Sequence, residues 1–170
     1  FTTLPYVYEF APIQKSNNFF PDWWKKMPKH SEYTNSYGIK LNNSTIKVCD
    51  GLINQYKNGF IIPMWSDLII DCKRDLYNYQ FSDQISKITP HNKNQYNDPE
   101  FDRFLHGKIE CPWFITPKSG LKLCMIQPMW NQLSIIDKLH IVPGMLDLTY
   151  VGLCPNINFF LESGDEYQIK

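Results

Sequence analysis

Late in the chain, the stretch GMLDLTYVG places Asp147 three residues after Gly144 and three before Tyr150, with Gly152 closing the run. A carboxylate so placed can accept a proton from water or from a sugar hydroxyl. A divalent metal beside it would reduce repulsion among phosphate oxygens. A tyrosine supplies an apolar ring with a polar tip, suited to packing beside a sugar. The same residues also suit a plain turn, with Asp147 bonding to its own backbone and Tyr150 joining the core.

The other chemical residues form weaker patterns. His30, His91, His106 and His140 have no ligand-like spacing, and none belongs to a metalloprotease HExxH. His106 and Glu110 would share a face only on a helix, whereas KIECPWFI reads as a strand. Asp67 and Asp71 would likewise need a helix, and SDLIIDC is short and β-branched. The cysteines at 49, 72, 111, 124 and 154 contain no CxxC pair, so no metal site is expected and small, mostly buried thiols are. Their odd number favours a reducing compartment. There is no nucleophile elbow and no phosphate-binding glycine loop.

Composition narrows the function classes. The chain carries 17 basic and 17 acidic residues, and Arg74 and Arg103 are its only arginines. Nucleic-acid binding is therefore not expected, because phosphate neutralisation draws on an excess of lysine and arginine. A hydrophobic content of 43% with 15% aromatics over 170 residues suits one domain with a substantial core. No apolar run reaches transmembrane length and FTTLPYVYEF lacks signal-peptide features, so neither a membrane partner nor a targeting segment is expected.

The elements that must position these residues change character along the chain. Residues 1–43 read as an irregular aromatic arm. In FFPDWWKKMPKH, Pro21 suits a helix start and Pro28 opposes its extension. Phe19, Phe20, Trp23 and Trp24 are too apolar for a free tail: they cover local core or form an interface. Residues 44–170 read as one β-rich domain with a helix near 45–58. Val48, Leu52, Ile53 and Tyr56 make its apolar stripe, and Gly59 is expected to end it in a left-handed conformation. Strands are expected at SDLIIDC and LYNYQF, with Tyr77, Tyr79 and Phe81 on one face. TPHNKNQYNDPEFD reads as an exposed excursion. Further strands are expected at 108–116, 121–127, 139–142, 145–151 and 157–161, giving an antiparallel sandwich or barrel.

CPWFITPKSGLKLCMIQP, VPGMLDLTYVG and INFFLESGDEYQI follow one another in an order that resembles the strands and turns of the dUTP diphosphatase superfamily. The likeness covers Cys111 to Lys170, about a third of the chain. It implies an oligomeric, mainly β, dUTP diphosphatase-like fold elaborated by an N-terminal helix. It also implies hydrolysis of a deoxyribonucleoside triphosphate with Mg2+, in pockets shared between subunits. Asp147 would hold the attacking water and the sugar, Tyr150 would pack on the sugar, and Gly144 and Gly152 match the motif's glycines. The phosphate-handling residues depart from the family. IQPMWNQ supplies Pro128 without the following Arg-Ser-Gly, while Lys118, Ser119 and Gly120 fall at the preceding turn. Val151 stands where an arginine often follows the tyrosine, and the glycine-rich segment that closes over phosphates has no counterpart.

Across the whole chain, WWKKMP, TIKVCDGLINQYKNGFIIPMW and VPGMLDLTYVG resemble a family of bacteriophage-associated proteins, a match that assigns no activity. The combined expectation is a non-catalytic structural or assembly protein without a cofactor, partnered by its own copies or another viral protein. Its expected location is the host cytoplasm or the virion. The alternative is a nucleoside triphosphate diphosphatase or a degenerate nucleotide binder.

Overall fold

A computed structural model describes the chain except at positions 3, 74, 75, 97, 117–119, 132–137, 150–152, 163, 165 and 170; at 76, 93, 129, 166 and 167 it describes only the backbone. The first elements are α1 (Pro5–Phe10), β1 (Gln14–Lys15), α2 (Asp22–Lys26), β2 (His30–Thr34), β3 (Lys40–Ser44), α3 (Asp50–Asn58) and β4 (Phe60–Ile61). The remaining strands are β5 (Leu68–Lys73), β6 (Leu76–Phe81), β7 (Ile88–Pro90), β8 (Phe104–Ile109) and β9 (Lys122–Met125). They continue with β10 (Leu139–Ile141), β11 (Gly144–Asp147), β12 (Ile157–Glu162) and β13 (Glu166–Ile169).

Two compact units result, one of Phe1–Ala11 with Met64–Lys170 and one of Pro12–Pro63. Within the second, Phe20 stacks on Tyr56 of α3 with ring centroids 4.6 Å apart, drawing the helix to the aromatic segment.

The larger unit holds a four-stranded sheet in the order β10-β12-β8-β7, a three-stranded sheet β13-β5-β6 and the pair β11-β9. Every pairing in them is antiparallel. The expected β-rich architecture is thus present as several antiparallel sheets with short helices. No described sheet closes into a barrel.

Period-two alternation decides which faces are buried. In β5, Leu68, Ile70 and Cys72 are fully buried, and their register partners are Phe81, Tyr79 and Tyr77. Across β8 and β12 the inner face pairs Leu105 with Leu161, Gly107 with Phe159 and Ile109 with Ile157. Phe159 and Leu161 are wholly buried. A Cβ on Gly107 would lie 2.5 Å from Phe159 Cζ, so only glycine lets the ring lie over its partner strand. Val7 of α1 is also fully buried, and the segment is tied in by bridges from Thr2 to Trp113 and from the Phe1 amino group to Phe114 O.

In the smaller unit β1 pairs with β4 and β2 with β3. α3 starts at Asp50, a favourable charge for a helix N-terminus, and buries Leu52 and Tyr56. Val48 lies before the helix and is exposed. Gly59 corrects the expected left-handed stop: its φ of −92° is ordinary extended backbone. Glycine is needed there for space, because a Cβ would approach Gln55 O to 2.7 Å and Ser16 Oγ to 2.9 Å. The hairpin β2–β3 replaces part of the expected irregular arm. Asn35 Oδ1 accepts hydrogen bonds from the amides of Tyr37 and Ile39, while Gly38 takes φ 77°.

Gly107→Ala is expected to destabilise the larger unit by about 1–3 kcal/mol, the usual range for overpacking. Urea denaturation should show a lower midpoint with little change in slope; an unchanged midpoint would contradict the close approach to Phe159.

Candidate functional site

The Asp147 turn is assembled by β9 and β11, whose register sets Asp147 opposite Lys122 and Gly144 opposite Met125. Asp147 Oδ1 accepts the Thr149 backbone N–H at 2.9 Å, and Lys122 Nζ stands 3.9 Å from Oδ2. The carboxylate is exposed, and its hydrogen bonds from Thr149 hold its pKa below the usual aspartate value. That environment makes it a weaker base and fixes it as the bond acceptor of its own turn. No described atom lies within 4 Å of where a Gly144 Cβ would stand, so among the described residues no close approach requires glycine there. Tyr150 and Gly152 lie outside the described residues, as do Lys118, Ser119 and Val151.

The aromatic candidates come together in the smaller unit. Pro21 precedes α2, which ends at Lys26 before Pro28, as expected. Phe20 stacks between Trp24, at 4.2 Å, and Tyr56. Lys47 Nζ lies 4.0 Å above the Trp24 ring and donates to the carbonyls of Trp24 and Lys25. A cation over an indole gains from the ring's negative face, and the two carbonyls hold the ammonium there. Phe19, Phe20, Trp23 and Trp24 are all half-buried, and Trp24 Nε1 is buried without a hydrogen-bond partner among the described residues.

Two polar constellations were not singled out by sequence reasoning. In the loop after β6, Asp83 accepts from the amides of Ile85 and Ser86 and from Ser86 Oγ. Ser86 Oγ in turn accepts from Trp65 Nε1 at 2.8 Å. Burial pushes the Asp83 pKa up, but the hydrogen bonds from Ser86, Ser66 and Ile85 outweigh it and leave the pKa lowered. The S-D-x-x-S spacing is the signal from which this turn is readable.

The second constellation covers the outer face of the four-stranded sheet. His91 and His106 stack with ring centroids 4.1 Å apart and planes 12° from parallel. His106 also stacks on Phe160 at 4.7 Å, and its Nδ1 lies 2.5 Å from the Tyr96 hydroxyl. His91 Nδ1 is 2.9 Å from Gln95 Oε1, and its Nε2 is 3.2 Å from Asn158 Oδ1. Tyr96 stacks on Phe101, which meets Phe160. The segment is exposed at most of its described positions, as expected, while Tyr96 packs inward on Phe160 and His91 on His106. Asn92 accepts the Asn94 amide, and Asp98 caps the 3-10 turn Pro99–Arg103. His91 and His106 lie fifteen positions apart, which is why linear spacing did not connect them.

His106 and Glu110 are not on a helix, and Glu110 accepts from Thr89 Oγ1. Asp67 lies before β5 and is exposed; Asp71, within β5, is 3.2 Å from Lys73. Cys72 and Cys111 are buried, Cys49 is half-buried, and Cys124 and Cys154 are exposed. Burial pushes the Cys111 thiol up to about 11, which keeps it protonated and poorly nucleophilic at neutral pH. Among the described residues, no three His, Cys, Asp or Glu side chains converge as a metal site. None of the described helices is long and apolar enough to cross a membrane.

Comparison with protein-family models, curated proteins and solved structures finds no match to this chain.

Two outcomes test these geometries. The Asp147 carboxyl should titrate below an ordinary aspartate by NMR, and Thr149→Ala, which removes the hydroxyl donor, should move the midpoint partway back up; no movement would contradict the assignment. Because the folded pKa is depressed, the turn's contribution is present above the unfolded aspartate pKa and is lost as pH falls through the folded one. Phe20→Ala should lower stability by about 2–3 kcal/mol, below the range for a fully buried phenylalanine because the ring is half-buried. The loss in thermal unfolding should be independent of protein concentration if the ring serves its own unit.

Proposed function

We propose that this chain is a bacteriophage-associated structural or assembly protein that acts through protein–protein contacts with its own copies rather than through turnover. The supporting observation is the β2–β3 hairpin, whose ten strand residues are all exposed. Register puts Ser31, Tyr33, Leu41 and Asn43 on one side, and the adjoining Asn35 and Ile39 face each other at the turn. This side carries no charge, while the opposite side carries Glu32 and Lys40. Exposed Tyr33, Tyr37, Ile39 and Leu41 then form an apolar surface on an element that buries none of its own strand residues. An isolated two-stranded hairpin is marginal in water, and a second copy laid against it would supply the missing cover.

A second copy is a suitable occupant because the uncharged sides meet without like-charge cost and the chain's formal charge is zero. The resemblance of WWKKMP and the central and C-terminal segments supports the viral setting, and the C-terminal strand order supports relating the fold to the dUTP diphosphatase superfamily. The lowered Asp147 pKa and its engagement in a turn weigh against the hydrolytic alternative.

Light scattering after size exclusion should show association that rises with concentration. Tyr33→Ser combined with Leu41→Ser should weaken it by about tenfold or more, as loss of a buried aromatic contact does, without lowering the thermal midpoint of the monomer. A monomer at every concentration would sink the self-association. Deoxynucleoside triphosphates, with or without magnesium, should leave the thermal midpoint unchanged; specific stabilisation would turn the reading toward a nucleotide pocket.

A further inference from the structure

The stack of His91 on His106 has no role in the contacts proposed above. His91 follows β7, and its backbone N–H donates to His106 O at 2.9 Å. From there residues 91–103 run through the 3-10 turns Lys93–Gln95 and Pro99–Arg103 before entering β8. Tyr96 and Phe101 fasten this segment to Phe160, and Tyr96 reaches His106 as well. The stacked histidines join its first residue to the strand beneath.

We propose that the His91–His106 stack is a proton-sensitive clasp. With His106 neutral it holds residues 91–103 on the sheet, and with both rings charged it releases them and uncovers the aromatic surface around Phe160. Gln95 Oε1 and Asn158 Oδ1 lie within hydrogen-bond distance of the two His91 ring nitrogens and hold that ring against His106. A neutral His106 can accept the Tyr96 hydroxyl proton at Nδ1. A second positive ring 4.1 Å from the first, in a half-buried site, meets strong repulsion.

The neighbouring elements supply other charges. Lys108 lies two residues along β8, while Glu162 and His140 lie on β12 and β10, on the same side of the sheet by register. Asp98, Glu100, Asp102 and Arg103 belong to the covering segment. These groups do not cancel the depression of His106: burial, and then charge on His91, lower its pKa to about 4. At His106 the closed clasp therefore binds fewer protons than the open one. Closure is at full strength above the ordinary histidine value of about 6.5, weakens as pH falls toward 4 and levels off below that.

The test is NMR titration of the histidine rings together with hydrogen exchange of peptides spanning residues 91–103, at neutral pH and near pH 4, corrected for intrinsic exchange. His106 should titrate near 4. At low pH, protection of the segment should fall about tenfold more than that of β5 and β6. His106→Phe, which keeps the stack without the proton, should abolish the difference. His91→Gln should raise the His106 midpoint toward the ordinary value. The proposal is overturned if His106 titrates as an ordinary histidine, if His91→Gln leaves its midpoint in place, or if the segment loses protection only in step with β5 and β6.

Discussion

The larger unit depends on one close approach. Phe159 lies over Gly107, and the strands bearing them are the two central members of the four-stranded sheet. A wholly buried phenylalanine brings a large apolar surface out of water, but only if the facing residue yields the volume of a side chain. Once β8 and β12 are locked in that register, alternation fixes everything on the other side: His106 falls opposite Phe160, Lys108 opposite Asn158 and Phe104 opposite Glu162. A slip of one residue would exchange the faces, burying His106 and exposing Phe159. The inner packing thereby places the polar and aromatic groups on which the outer face is built.

The outer face is covered differently from the inner one. Its rings are stacked through histidine and tyrosine, and the cover is a chain of short turns rather than a sheet or long helix. Its described ring contacts, Tyr96 and Phe101 on Phe160 and His91 on His106, tie that cover to the sheet. The smaller unit follows the same logic on a smaller scale, with Phe20 between Trp24 and Tyr56 and the Lys47 ammonium over the indole. In both places aromatics substitute for extensive secondary structure.

The strands with clear alternation were legible. SDLIIDC and LYNYQF pair as β5 and β6, and the expected segments at 139–142 and 157–161 contain β10 and most of β12. α2 between Pro21 and Pro28 was readable from proline chemistry alone. The hairpin β2–β3 was not recognised, because its strands are polar and exposed and show no buried period; its signal is the Asn35-to-Gly38 turn. The exposed excursion TPHNKNQYNDPEFD was legible from its polar composition, but its anchoring on Phe160 through Tyr96 and Phe101 was not. Asp147 illustrates the opposite difficulty. Its spacing is compatible with chemistry and with a turn, and only the Thr149 hydrogen bond distinguishes how the carboxylate is engaged.

The contact reading and the hairpin geometry meet at four exposed side chains, Tyr33, Tyr37, Ile39 and Leu41. The measurement that bears on them most directly is hydroxyl-radical footprinting of the intact chain across a concentration series spanning the association. The account predicts that oxidation of these residues falls as the oligomer forms, while exposed Met145 on β11 in the other unit stays equally reactive. Unchanged oxidation of the hairpin in the associated state would contradict it and move the contact surface elsewhere.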